Sequence, residues 1–347
     1  MARQNKESRQ LQRLLKNLFK SKPAALSVIC VVVIAAILLT LSSASILPFT
    51  FPTWGDAYTA VTGEPASSQS VFALAEISSA AQSKSSTSET LSGKQMSVYI
   101  IDVGQGSSTL FTTGDNSILI DAGENDQGGK VLDCLNALKI NHLDYIIGTH
   151  PHSDHIGGMD DVLKKVEVDT VILPKVPDAI LPTTKTYEDV LTLLAEKKIK
   201  VITAAPGKSY VIGAMKLETL GPVGEYDDLN NESVVSKISF ANTSVLVSGD
   251  AETAAEKDIL KKDFNLKSDI YVAGHHGSST STGKAFLAAI KPAFAAISCG
   301  ENNDYGHPSA STLQKLKDKG VTVYRTDLNG TIVFTTDGKN IAVKTEK

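Results

Sequence analysis

Residues 150–155 read His-Pro-His-Ser-Asp-His, which puts three imidazoles and one carboxylate within six positions. Imidazole and carboxylate are the usual ligands of zinc and related divalent ions. His150 and His152 are two residues apart, so an extended backbone turns both to one face, where they can chelate one ion. Asp154 and His155 then project elsewhere and can serve a second ion. A polar surface loop that happens to be rich in histidine is the plain alternative. Four ligand side chains at this spacing, directly after an apolar strand, rarely assemble by chance. That strand is expected at 143–149, Gly157 and Gly158 close the loop, and 159–166 reads as a helix. Ligands just past the carboxyl end of a strand sit where α/β folds carry their sites.

The pattern on either side agrees with such a fold. Strands are expected at 98–103, 109–112 and 117–121, with Gly104, Gly106 and Gly114 at the turns. A helical spacing over 131–138 follows. Further strands are expected at 171–173, 201–203, 269–273, 294–298, 321–324 and 331–334, with a β-rich stretch over 209–248. Helices are expected at 187–197, 251–262, 284–290 and 310–317. Alternation of this kind gives an α/β domain with mixed sheets.

Beyond the histidine motif, five further blocks stand out: Asp102-Val-Gly-Gln-Gly106, Leu119-Ile-Asp121-Ala-Gly123, Ser248-Gly-Asp250, His275-His276-Gly-Ser278 and Asn303-Asp-Tyr-Gly-His307-Pro308. In this order the six resemble the metallo-β-lactamase superfamily of binuclear hydrolases, and within it the hydrolase domain attached to ComEC-type competence proteins. The resemblance covers residues 96 to 345 and leaves the first quarter of the chain uncovered. It implies a four-layer αββα sandwich, two sheets face to face with helices outside, and a site along one edge. It also implies one or two divalent ions, zinc or manganese.

The site expected on that basis uses His150, His152, Asp154, His155, Asp250 and His275 as metal ligands, with Asp250 bridging. Asp250 also suits the N-cap of the helix that follows it. Adjacent side chains diverge, so His275 and His276 cannot both hold one ion; His275 is the preferred ligand, and His276 is given a catalytic or substrate role. Asp154 is the expected proton acceptor, and His307 a substrate contact or proton donor. The resemblance gives Asp121 the task of orienting a metal-bound histidine. Asp102 is better suited to stabilising a turn. Gly277 and Ser278 can offer donors to an oxyanion. One departure from the superfamily pattern matters: no histidine lies between His155 and His275. Asn230-Asn231-Glu232-Ser233 occupies the corresponding region, so Asn231 and Ser233 are expected to support the site or touch substrate. The first ion is then left with His150, His152 and Asp250, which favours a looser and harder ion such as manganese.

The first 95 residues differ in character. Residues 1–22 carry Arg3, Lys6, Arg9, Arg13, Lys16, Lys20 and Lys22 against Glu7 alone, a net of +6 in a chain whose total is −4, which leaves −10 for the remainder. Residues 24–41 hold no charge and are dense in Val, Ile, Leu and Ala. Eighteen helical residues rise ~27 Å, close to the ~30 Å of bilayer hydrocarbon. The expected organisation is a basic cytoplasmic tail over 1–22, a membrane anchor over 23–47, a flexible Ser-rich linker over 48–95 and the hydrolase domain over 96–347. Positive charge before the span directs the domain out of the cytoplasm. A secretory signal cleaved near Ser42-Ser-Ala-Ser45 is the other reading and also places the domain outside. Within 42–95 there are 13 serines, too polar a stretch to bury a core. Three cysteines, one of them in the apolar segment, make no disulfide framework.

The function expected is hydrolysis by a metal-bound hydroxide, with a phosphodiester such as DNA as the preferred substrate through the ComEC-like resemblance. The acidic domain lacks the broad basic face of most nucleic-acid binders, so DNA affinity is expected to be modest. The same metals can serve lactam, lactone or thioester hydrolysis. A catalytically weak binding module is the reading of another class, and the absent histidine motivates it. The membrane is the expected partner of the N-terminal helix; protein partners are not legible.

Overall fold

Strand β1 (Met96–Ile100) sends Met96, Val98 and Ile100 to one face and Tyr99 to the other, and all four are buried. Burial on both faces explains why this stretch is a nearly continuous apolar run. The computed structural model describes residues 95–347. The expected tail, anchor and all of the linker before residue 95 lie outside the described residues. Among the described residues no helix is long and apolar enough to cross a membrane.

The first half of the domain runs β1, β2 (Thr109–Thr113), β3 (Asn116–Ile120), α1 (Gly128–Ala137), β4 (His142–Ile147), α2 (Ser153–Ile156), α3 (Met159–Lys165), β5 (Glu167–Leu173), α4 (Lys185–Glu196) and β6 (Lys200–Thr203). The second half runs β7 (Ser209–Ile212), β8 (Met215–Thr219), β9 (Ser236–Phe240), β10 (Thr243–Val247), α5 (Thr253–Leu260), β11 (Ile270–Val272), α6 (Lys284–Ile290), β12 (Phe294–Ile297), α7 (Ala310–Asp318), β13 (Thr322–Arg325), α8 (Thr326–Asn329), β14 (Ile332–Thr336) and β15 (Ile341–Thr345). Two sheets result, eight-stranded in the order β15-β14-β1-β2-β3-β4-β5-β6 and seven-stranded in the order β13-β12-β11-β10-β9-β8-β7.

Three apolar layers hold this arrangement. Between the sheets, Val98, Ile118 and Ile120 of one meet Leu217, Ile238, Val245 and Val247 of the other. The alternate residues, such as Leu119 on β3, face out onto Val131, Leu135, Val162 and Val190 of α1, α3 and α4. On the far side, Leu246 and Tyr271 meet Ile259, Phe286, Leu287 and Leu316 of α5, α6 and α7. The layering is therefore helix, sheet, sheet, helix, as expected.

Strands β3 to β6 are parallel, and so are β10 to β13. The loops leaving β3 and β4 meet those leaving β10 and β11, and these loops carry four of the six quoted motifs, the other two following β1 and β12. Three details differ from the sequence expectation. Helix α5 starts at Thr253 rather than 251, with Glu252 in the capping position. The histidine motif contains its own helical turn, α2. Strand β15, with exposed or half-buried residues throughout, has too little apolar alternation to be read in advance.

Candidate metal centre

The motif loop is built by close backbone approach. β4 ends at Ile147, and His152 is extended before the turn of α2. A Cβ on Gly157 would lie 2.3 Å from the Asn125 nitrogen, and one on Gly158 would lie 2.3 Å from the Ala122 oxygen. Contacts that short exclude any side chain, so the two glycines let the loop press against the turn after β3.

That turn supplies Asp121, fully buried. Its Oδ1 accepts from the Thr149 N–H and its Oδ2 from the Thr149 hydroxyl, both at 2.8 Å. Oδ2 also lies 2.7 Å from His155 Nδ1. Holding the proton on Nδ1 leaves the His155 Nε2 lone pair free, and it faces Asp250 Oδ1 at 3.1 Å. His150 Nε2 and His152 Nδ1 lie 2.9 Å apart, with Asp250 Oδ2 3.9 Å from His150 Nε2.

The second sheet brings Asp250 after β10 and His276 after β11. His276 Nδ1 lies 2.9 Å from the Ser298 carbonyl, which fixes the proton there. Its Nε2 then faces Asp154 Oδ2 at 3.1 Å and His155 Nε2 at 3.3 Å. One donor atom from each of Asp154, His155, Asp250 and His276 falls within 4.8 Å of every other. Two imidazoles and two carboxylates turned toward one point need positive charge among them, supplied either by protons on the rings or by a divalent cation in their place. This donor set fits a divalent metal. His150 and His152 lie beside it, with Asp250 near His150.

The electrostatics agree. Burial pushes His150 well below the usual histidine range, and neighbouring His155 adds to it. Burial lowers His152 as well. Both rings are therefore neutral and able to bind a metal. Burial alone would lower His155 and His276 and raise Asp250 and Asp154; the carboxylates outweigh it and raise both histidines, and the two cationic rings hold both carboxyls below their ordinary range, so a bound metal would take the place of the ring protons.

Residues 101–301 match the Metallo-beta-lactamase superfamily. The chain belongs to this superfamily. Among curated proteins, ComE operon protein 3 of Bacillus subtilis (strain 168) is 33% identical over 257 residues, covering 68% of this chain and 32% of that protein. Competence protein ComA of Neisseria gonorrhoeae is 30% identical over 251 residues, covering 71% of this chain and 33% of its own length. Recombination protein 2 of Haemophilus influenzae is 31% identical over 249 residues, covering 70% and 29%. The chain thus spans about a third of the length of these relatives.

Within this metallo-β-lactamase site, several expected residues fall elsewhere than expected. His276, not His275, joins the buried four-group cluster. His275 is partly exposed, its Nδ1 lies 3.2 Å from Glu252 Oε1, and its Nε2 reaches only to 3.7 Å from Asp250 Oδ2. Both histidines have left-handed backbone, with φ of 51° and 52°, which sends the rings to different sides. Asp250 does not cap α5. Asn231 Oδ1 accepts instead from the Glu252 and Ala255 N–H groups, so Asn231 braces that helix and does not face substrate. Ser233 does support the site: its hydroxyl accepts from the Asp250 N–H at 3.0 Å and lies 3.3 Å from His150 Nδ1. Ser278 has no free donor for an oxyanion. The Ser278 N–H is committed to the His275 carbonyl, its hydroxyl pairs with Thr280, and Gly277 packs on Pro308.

A cavity of about 330 Å³ opens onto the centre and is lined by His152, Asp154, Asp250, His275, His276 and His307, together with Gln105, Ser153, Asn230 and Tyr305. The last four were given no role from sequence, yet all of them lie inside blocks that it singled out. Asn230 Oδ1 and His307 Nδ1 are buried without a hydrogen-bond partner. Cys299 is buried and its thiol is pushed up to about 12 by that burial, beside Asp327 and away from the cavity lining.

Proposed function

We propose that the chain is a metal-dependent phosphodiesterase, acting outside the cytoplasm on DNA or a related phosphodiester. One observation carries the reading: a buried four-group donor cluster, with His150 and His152 beside it, opens onto a cavity lined by Asn230 and His307, each of which has a buried polar atom without a partner. When bound, divalent ions lower the pKa of water and polarise the scissile group. Asp154, His155, Asp250 and His276 would hold one ion, and His150 and His152 beside them would help to hold a second. Asp121 and the Ser298 carbonyl fix the ring tautomers that make this binding work. Asp154 accepts the proton of the attacking water, its side chain being the partly exposed carboxylate of the cluster. His307 Nδ1 and Asn230 Oδ1 meet substrate from the wall.

Relatives named for competence and recombination favour DNA over lactams. The pair of His150 and His152 lacks a third histidine and has the Asn230 carbonyl oxygen in the same cavity, which favours a harder ion such as manganese there and zinc in the four-group cluster. The apolar run at 23–47 anchors the domain, and the Ser-rich linker holds it clear of the bilayer. The test is the full chain, loaded with zinc or manganese, given single-stranded DNA and a small phosphodiester beside lactam and lactone substrates. Phosphodiester cleavage that is lost in Asp154→Asn by at least ~10²-fold is expected. Cleavage of lactam or lactone alone overturns the assignment. Protease added outside intact cells is expected to release the domain by cutting in the linker; full protection overturns the orientation.

A further inference from the structure

Tyr305 is the one residue on the cavity wall whose exposure is hard to explain by packing. It is 71% exposed, and it is aromatic. Its ring stacks on His307 at 5.8 Å between centroids and 23° between planes. His307 stacks in turn on His276 at 6.3 Å and 22°. Three near-parallel rings thus lead from solvent to a histidine of the metal centre. One face of Tyr305 is covered by His307, and its high exposure leaves the other open.

The platform is held in place. The Asn303 amide donates to the carbonyls of Gly300 and His307, and Asn303 Oδ1 accepts from the His307 N–H. These bonds fix the turn that carries Tyr305, so little order has to be gained on binding. The flanks of the turn are acidic: Glu301 and Asp304 are both exposed. A phosphate is repelled there, whereas a neutral planar group is not.

We infer that Tyr305 is a base-stacking platform and that the substrate is single-stranded nucleic acid. This rests on the phosphodiesterase reading and narrows it. A phosphodiester at the metal centre places a neighbouring base over the open face of Tyr305, in line with the His307 and His276 rings. In a duplex each base face is already stacked on its neighbours, so the platform selects for unpaired strands. His307 lines the cavity beside the platform and meets the same nucleotide.

The experiment measures binding to the full chain, by fluorescence anisotropy, with EDTA present so that nothing is cleaved and, separately, with calcium. The probes are a labelled oligothymidylate, an abasic oligomer of equal length and the corresponding duplex. The wild type is expected to bind oligothymidylate most tightly. Tyr305→Ala is expected to raise that Kd about tenfold, within the range of one base–aromatic stack, while the abasic Kd stays unchanged. Tyr305→Phe retains tight binding, and Tyr305→Leu, apolar but not aromatic, does not. Wild-type binding that ignores the presence of bases, or equal Kd changes for both single strands, overturns the platform and leaves the phosphodiesterase reading standing. No binding of any probe, together with no phosphodiester cleavage, overturns both.

Discussion

Asp121 Oδ2 and His155 Nδ1 lie 2.7 Å apart in a contact that is closed to solvent. The same carboxylate takes two hydrogen bonds from Thr149, so it cannot turn away. It sets the direction of His155 and keeps the other ring nitrogen as a ligand. Asp121→Asn weakens this acceptor and is expected to reduce metal affinity by about 10–100-fold, the usual effect of removing such a partner. Metal titration of the purified variant checks this; affinity equal to wild type shows that His155 needs no such support.

The two adjacent histidines make a sharper comparison. His276→Ala removes a member of the four-group cluster and is expected to lower the metal retained after dialysis. His275→Ala is expected to retain metal, because His275 faces Glu252 and the cavity instead. Elemental analysis of both variants decides between them, and the opposite pattern restores His275 as the ligand.

His307→Ala is expected to leave metal content intact and to reduce phosphodiester turnover by tenfold or more. A hydrogen bond to a charged group is worth ~1.5–3 kcal/mol. Burial, then His275 and His276, hold the His307 ring below the usual histidine range, so a neutral contact to substrate suits it better than proton donation. Kinetics beside metal analysis test this; loss of metal along with activity places His307 in the centre itself.

Glu256 on α5 gives a pH prediction. Its Oε2 accepts from the Gly283 N–H at 2.8 Å, while Oε1 is buried without a partner. Burial raises its carboxyl from 4.5 to about 7. Below pH 4.5 both folded and unfolded chains hold the proton, and there is no penalty. Between 4.5 and 7 the folded state keeps a proton that the unfolded state releases, so stability falls as pH rises, and the penalty is complete above 7. Glu256→Gln is expected to gain about 1–3 kcal/mol over wild type between pH 5 and pH 8. Urea unfolding at both values measures it; a difference that does not change with pH removes Glu256 as the source.

Much of this could be read from the chain because ligand chemistry is local in sequence. The His150–His155 spacing, the glycines behind it and the strand before it define one half of the centre within residues 143–158. The alternation of Val98, Tyr99 and Ile100 declares a strand buried on both faces. The choice between His275 and His276 was not legible, because a left-handed backbone and a carbonyl 22 residues away, on Ser298, make it. The block 230–233 divides three ways for a similar reason: Asn230 faces the cavity, Asn231 braces α5, and Ser233 holds Asp250. Spacing assigns these neighbours one role, and only the path of the loop separates them. The anchor and linker lie outside the described residues.

The centre also straddles the seam of the sandwich. Asp121, His150, His152, Asp154 and His155 leave one sheet, and Asp250 and His276 leave the other. An ion held by both sets is a clasp across the open end of the domain. Ligand that binds only the folded chain adds about 2.7 kcal/mol of stability at a hundred times its Kd. A bound metal would therefore brace the two sheets against each other as well as supply chemistry.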